Sequence, residues 1–203
     1  KSGGTTRRAA KMVTVDLDHP DIEEFISWKV IEEQKVAALV AGSKICQKHL
    51  SLIMAACNDE KLDDADRVTP RKNTTLKAAI KTARSNEVPM NYVQRVLQFA
   101  QQGYTSMEFE TYNTDWDSDA YLTVSGQNSN NSVRVSNGFF QKLEEDGDWG
   151  LIRRIDGKVH KSIKARELWE QVNYAAWACA DPGIQYDTTI NEWHTCPKSG
   201  RIN

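Results

Sequence analysis

The stretch that decides the fold is KMVTVDLDHPDIEEFI, residues 11–26. Its first half alternates. Val13, Val15 and Leu17 fall on one face, which predicts a half-buried strand over Lys11 to Asp18. His19-Pro20 breaks the alternation. Pro20 suits the first turn of a helix, and Asp21, Glu23 and Glu24 complement its N-terminal dipole. Ile22, Phe25 and Ile26 give that helix an apolar face. A strand that feeds an amphipathic helix is the building unit of an α/β protein.

Outward from this unit, residues 1–10 (KSGGTTRRAA) read as a loop, and residues 30–105 as mostly helical. Ser43 is placed to cap a helix with Ile45, His49, Leu52, Ile53 and Ala56 on one stripe. Asn58 to Asp66 is a polar, acidic loop. Thr74 or Thr75 caps a further helix with Leu76, Ala79, Ile80 and Ala83 inside. Pro89 starts another, with Val93, Val96, Leu97 and Ala100 at helical spacing, and Gly103 ends it. Residues 106–119 carry Glu108, Glu110, Asp115, Asp117 and Asp119 and no base, the pattern of an exposed acidic linker.

Beyond it the composition changes. SGQNSNN (125–131) reads as a polar turn-rich loop that leads into a short strand at Val133 to Val135. Asn137 to Glu145 reads as a helix and Trp149 to Ile155 as a strand. Asp156-Gly157 is a hairpin-type turn signal. Ile163 to Ala180 is the strongest helix, with Leu168, Val172, Ala175, Ala176 and Cys179 on one stripe. Asp181-Pro182-Gly183 stops it, and Ile184, Tyr186, Thr188 and Ile190 alternate as a strand. The order predicts an α/β scaffold interrupted by a helical insertion. The expected divisions are 1–35, 36–122 and 123–203.

Composition bounds the function. The chain has 203 residues, 39% of them hydrophobic and 27% charged, which is the make-up of a folded, soluble protein. The formal net charge is −2, so no global basic field draws in nucleic acid or an anionic membrane. No run approaches the ~18 apolar residues of a membrane helix. The first residues lack the apolar region of a secretory leader. Cys46, Cys57, Cys179 and Cys196 match no zinc or redox spacing, which points to a reducing, cytoplasmic compartment. The chain opens at Lys1 inside a glycine-containing loop and closes on Gly200-Arg201-Ile202-Asn203, which looks like the start of a strand. Both ends read as cut from a longer polypeptide.

Few residues carry chemistry by themselves. Gly3-Gly4-Thr5-Thr6-Arg7-Arg8 combines backbone freedom, hydroxyls and guanidiniums, which suits a phosphate or a nucleobase. It lacks the Gly-Lys-Ser/Thr ending of a phosphate-binding loop and precedes a strand, so a flexible terminal tail is the competing reading. Arg67, Arg71, Lys72, Lys77, Lys81 and Arg84 form a basic stretch, with Lys77, Lys81 and Arg84 on one helix face. No aromatic residue is interleaved, so a solvated face competes with a nucleic-acid surface. Glu192, His194 and Cys196 lie close together, but a metal needs more ligands. Cys46 and Cys57 fit buried thiols. Trp169 and Trp177 fit packing positions. Asp181, Tyr186 and Asp187, near a helix end, are placed to position something.

Three longer stretches carry a resemblance. They are SGGTTRRAAKM (2–12) with HPDIEEFISWK (19–29), then SGQNSNNSVRVSNGFF (125–140) continuing through EEDGDWGLI (144–152), then AWACADPGIQYDTTINEWHTCPKSGRIN (176–203). In this order they resemble the catalytic subunit of class II, adenosylcobalamin-dependent ribonucleotide reductases. The helical block between the first two resembles the insertion of longer members. DPGIQYDTTIN and TTRRAAKM look like this class more than the glycyl-radical or di-iron reductases.

The resemblance implies a ten-stranded α/β barrel around a finger loop that bears a radical cysteine. It implies replacement of the ribose 2′-hydroxyl by hydrogen, with diphosphates as the expected substrates. Adenosylcobalamin homolysis would generate the thiyl radical. It further implies deoxynucleoside triphosphate effectors, a thioredoxin-type reductant and a homodimer at full length. Ser2, Gly3, Gly4, Thr5 and Thr6 match the flexible part of the specificity loop. Arg7 matches the arginine that reaches toward the substrate base. SGRIN resembles the segment that runs on into an Asn-Pro-Cys-x-Glu-type motif. The radical cysteine and the reducing pair therefore have no counterpart among residues 1–203, and an internal fragment, inactive alone, is expected. The alternative is a stand-alone interaction or nucleotide-binding module that uses the Lys77/Lys81/Arg84 face.

Overall fold

A computed structural model describes residues 11–115 and 117–203. The chain divides into two compact units. One comprises residues up to Gln34 together with Val124–Asn203, and the other is Lys35–Thr123.

The first unit is built on a parallel sheet of β1 (Lys11–Asp16), β2 (Ser129–Val135) and β5 (Gly183–Tyr186), in the order β1-β2-β5. Val15 lies opposite Val133, and Val133 opposite Ile184. Parallel neighbours need long crossovers. The crossover from β2 to β5 runs through α6 (Asn137–Glu144), an antiparallel hairpin of β3 (Asp148–Ile152) and β4 (Val159–Lys164), and α7 (Ala165–Cys179). The helix that follows β1 is α1 (Ile22–Cys57), whose first part belongs to this unit.

The alternation of Lys11 to Asp18 delivers Leu17 to the core, where it meets Ile22 and Ile26 of α1, Val133 and Val135 of β2, and Leu168 and Val172 of α7. Phe139 is fully buried at the centre of an aromatic group. Its ring lies 5.2 Å from Trp149 and 6.1 Å from Trp169. The hairpin is tied to the end of β1 by two bonds. Trp149 Nε1 donates to the Leu17 carbonyl (3.2 Å), and Ile152 N donates to the Asp18 carbonyl (2.7 Å). The turn signal at Asp156-Gly157 is matched by Gly157 at φ 68°, a conformation open to glycine.

Four expectations in this unit change. β2 begins at Ser129, so the polar stretch to Asn131 is strand and not loop. Pairing with β1 and internal bonds outweigh the weak strand preference of Ser and Asn. Ser129 Oγ donates to Asn131 Oδ1, and Asn131 N donates to Asp181 Oδ1. β3 ends at Ile152, short of Ile155. Ile163 and Lys164 belong to β4, so the long helix starts at Ala165. Thr188 and Ile190 lie in α8 (Asp187–Glu192) instead of extending β5. The apparent alternation there is too short to separate period two from one helical turn.

The second unit is helical. It holds the rest of α1, then α2 (Asp64–Arg67), α3 (Thr74–Ser85), α4 (Met90–Gln101) and α5 (Asp119–Leu122). Ile53, Met54, Leu76, Ala83, Val93 and Val96 form its core. Ser43 does not cap a helix. α1 runs through it, and Ser43 Oγ bonds the Val40 carbonyl while accepting from Tyr112 N. Of the expected stripe, His49, Ile53 and Ala56 are buried, joined by Leu50 and Met54, whereas Ile45 and Leu52 are exposed. The cap of α3 is Asn73, one residue before the expected threonines. Its Oδ1 accepts from Leu76 N, and its Nδ2 donates to the Ala56 and Arg67 carbonyls.

The acidic stretch 106–119 is more than a linker. Its acids are exposed, but Met107 and Phe109 pack on the helical core. Asn58 Nδ2 donates to the Thr105 carbonyl just before it (2.7 Å).

Candidate functional site at the carboxyl ends of the strands

Open parallel sheets bind ligands beyond the carboxyl ends of their strands. In the first unit those ends are Asp16, Val135 and Tyr186. A cleft of about 300 Å³ lies there, lined by Asp16, Asp18, Arg134, Trp149, Asp187 and Arg201 among others.

Its organising group is Asp187, the first residue of α8. Arg134 Nε approaches Asp187 Oδ1 to 2.9 Å. Both side chains are buried, at 4% and 10% exposure, so the pair is largely withdrawn from water. Arg134 stands between Val133 and Val135 on the central strand, opposite Asp16 of β1 and Gln185 of β5. Its Nε and both Nη atoms are buried and make no aligned hydrogen bond among the described residues, so the contact with Asp187 is an ion pair. Arg201 pairs with the other Asp187 oxygen.

Asn191, one turn along α8, donates from Nδ2 to the Asp187 carbonyl (3.0 Å) and to the Ile202 carbonyl (3.2 Å). Its Oδ1 accepts from Ile202 N (3.0 Å). Thr188 Oγ1 accepts from Asn137 N (3.0 Å), which ties α8 to the start of α6. On the other rim Arg154 pairs with Asp18 and with Asp16 (3.3 Å). The Asp18 hydrogen bond, aided by the charges of both carboxylates, raises the guanidinium above its ordinary value despite partial burial. The cleft is thus a lattice of arginines and carboxylates that holds backbone in place, without a thiol or imidazole in its lining.

The opposite, amino end of the sheet carries a second ion pair. Lys29 of α1 meets Asp181 at 3.0 Å. Glu32 accepts from Ser125 N (3.0 Å), and Trp28 Nε1 donates to Ser125 Oγ (3.3 Å), which fixes the loop before β2. Cys179 lies close by, and burial pushes its thiol up.

The residues singled out from sequence distribute as follows. Ser2, Gly3, Gly4, Thr5, Thr6 and Arg7 lie outside the described residues. Asp181 and Asp187 sit at opposite ends of β5, and the Tyr186 ring stacks on Phe140 (6.0 Å). Cys196 is exposed, and its backbone N donates to His194 Nδ1; the thiol makes no pairing with the imidazole. Cys57 is buried and Cys46 packs beside the same helical core. Lys77, Lys81 and Arg84 are exposed on α3. Trp169 packs as expected, but Trp177 is 83% exposed and lies against Tyr174.

Sequence reading missed Arg134, Asn191 and Arg201. The available signal was a lone arginine inside Ser-Val-Arg-Val, a charge at the centre of an apolar strand. Among the described residues no group of three or more His, Cys, Asp or Glu is placed to hold a metal ion, and no helix is long and apolar enough to cross a membrane.

The whole chain, residues 1–203, matches the family model for the ribonucleotide reductase barrel domain. It is 61% identical over 202 residues to a vitamin B12-dependent ribonucleotide reductase of Agrobacterium fabrum, covering all of this chain and 16% of that protein. A protein of the same name from Bradyrhizobium diazoefficiens is 60% identical over 202 residues, again 16% of its length. One from Streptomyces avermitilis is 38% identical over 203 residues, 14% of its length. The chain thus spans about one sixth of the first two of these relatives. The parallel β1-β2-β5 sheet and this end-to-end match together place the chain in the ribonucleotide reductase family, within its barrel domain.

Proposed function

We propose that this chain is a section of the catalytic subunit of an adenosylcobalamin-dependent ribonucleotide reductase. The observation that carries the reading is the 61% identity, over the full chain, to an enzyme named for vitamin B12 dependence. The overall reaction exchanges the ribose 2′-hydroxyl of a ribonucleoside diphosphate for hydrogen. A dithiol is oxidised to a disulfide, and the hydroxyl leaves as water. A thioredoxin-type protein would regenerate the dithiol. Deoxynucleoside triphosphates would act through a specificity loop formed by Ser2, Gly3, Gly4, Thr5 and Thr6, with Arg7 directed at the base. The setting is cytoplasmic and the full-length assembly a homodimer.

In this reading β1, β2 and β5 are consecutive barrel strands of a ten-stranded barrel, and the helical unit is an insertion between β1 and β2. Among the described residues β1 and β5 each pair along one edge only, which leaves both free for further strands. The segment ending in Arg201-Ile202-Asn203 leads toward the radical-bearing finger loop.

The residues that line the cleft do not fit the cobalamin itself. A corrinoid needs a broad apolar seat, whereas the cleft is small and crossed by ion pairs. The role of these residues is to hold barrel elements in register.

The test is a chimera in which this chain replaces the matching 202 residues of the Agrobacterium fabrum protein. Formation of deoxynucleoside diphosphate that requires added adenosylcobalamin and a dithiol is the expected result. A folded chimera with no such turnover would overturn the proposal. The isolated chain should show none under the same conditions.

A further inference from the structure

We infer that Asn191 and Asp187 are positioning residues that fix the Arg201-Ile202-Asn203 segment, an inference that rests on the reading that this segment leads to the radical-bearing loop. Arg201, Ile202 and Asn203 are all exposed and adopt no regular secondary structure. Among the described residues, side-chain hydrogen bonds hold them.

The carboxamide of Asn191 grips one residue at both ends. Its Oδ1 takes the Ile202 N–H (3.0 Å) and its Nδ2 gives to the Ile202 carbonyl (3.2 Å). This is the paired exchange that a neighbouring strand would supply, delivered by a side chain. Two further bonds from Nδ2, to the Asp187 carbonyl (3.0 Å) and to Asp187 Oδ1 (3.3 Å), set the orientation of the carboxamide.

Asp187 adds a second grip through its pair with Arg201. The carboxylate is itself immobilised by Arg134, whose side chain is 4% exposed and rooted in the central strand. A continuous path thus runs from β2 through Asp187 and Asn191 to the backbone of residue 202. Rigid placement of reacting groups matters because a misplacement of about 1 Å costs on the order of a hundredfold in rate.

The experiment uses the intact chimeric reductase with Asn191→Ala and Asn191→Asp. Asp keeps the acceptor for Ile202 N–H and lacks the donor. Amide hydrogen exchange at Ile202 should rise about tenfold in Asn191→Ala, the worth of one hydrogen bond. It should rise less in Asn191→Asp. Exchange at Val133 and Val135 should stay at the parent rate. The kcat should fall at least about tenfold, with KM for the ribonucleotide within about twofold of the parent.

Parent-like exchange at Ile202 in Asn191→Ala would overturn the inference. So would faster exchange with unchanged kcat. If Asn191→Ala also loses protection at Val133, the Asn191→Asp variant decides by the same criteria. A parent chimera without turnover overturns the functional reading and the inference with it. An active parent with an unaffected Asn191→Ala overturns the inference alone.

Discussion

Arg134 occupies a position where a central strand ordinarily accepts an apolar side chain, between the buried Val133 and Val135. The charge is tolerated because Asp187 meets it at 2.9 Å. A buried pair of this kind is worth little beyond an apolar substitute, but breaking it leaves an uncompensated charge. Asp187→Ala should therefore destabilise the first unit by about 3–5 kcal/mol. The double variant Arg134→Met, Asp187→Ala should recover much of that loss. Urea midpoints for the two single variants and the double close the cycle. Additive losses would show that the two groups do not compensate each other. The cysteines differ by the same logic of burial. Desolvation pushes the Cys57 thiol up to about 11, whereas Cys196 is exposed. At pH 8 a thiol reagent should modify Cys196 and leave Cys57 untouched until urea unfolds the chain. Equal rates at the two sites would contradict the buried position of Cys57.

Element by element, legibility followed the length and regularity of the apolar pattern. β1, α4 and α7 each repeat their period, and Leu17 just after β1 is buried, as are Val93, Val96, Leu168 and Val172, while Val13 and Val15 are half-buried. β2 was half hidden. Its amino half is Ser129-Asn130-Asn131, whose strand character comes from pairing with β1 and from Asp181, both distant in sequence. The cap of α3 shifted by one residue because Asn73 also reaches two carbonyls distant in sequence. The candidate site was legible only in Asp187. Arg134 and Asn191 acquire meaning from partners more than ten residues away. α3 also offers a test at this scale. Lys77, Lys81 and Arg84 are exposed along it and belong to the helical unit, whereas the residues that line the cleft belong to the other unit. Reversing all three charges to Glu should leave turnover of the chimera within about twofold, as exposed substitutions usually shift stability by no more than about 0.5 kcal/mol each. Abolished turnover would assign the basic face a part in the reductase.

At the scale of the whole molecule, two hydrophobic cores stand apart in residue membership. Phe139 and Leu168 belong to one, Leu76 and Val93 to the other, and α1 contributes Ile22 and Ile26 to the first and Ile53 and Met54 to the second. Cooperative unfolding follows shared burial, and segments that share little open at their own free energies. Truncating a fully buried leucine to alanine costs about 2–5 kcal/mol, and a phenylalanine about 3–5 kcal/mol. Leu76→Ala should thus speed amide exchange throughout α3 and α4 while β1, β2 and β5 keep their protection. Phe139→Ala should do the reverse, loosening the sheet and α7 while α3 and α4 hold. Hydrogen exchange resolved along the sequence reads both variants in one experiment. If either substitution loosens both units equally, the chain unfolds as a single cooperative body. α1, which among the described residues is the helix with members in both cores, would then be the element that couples them.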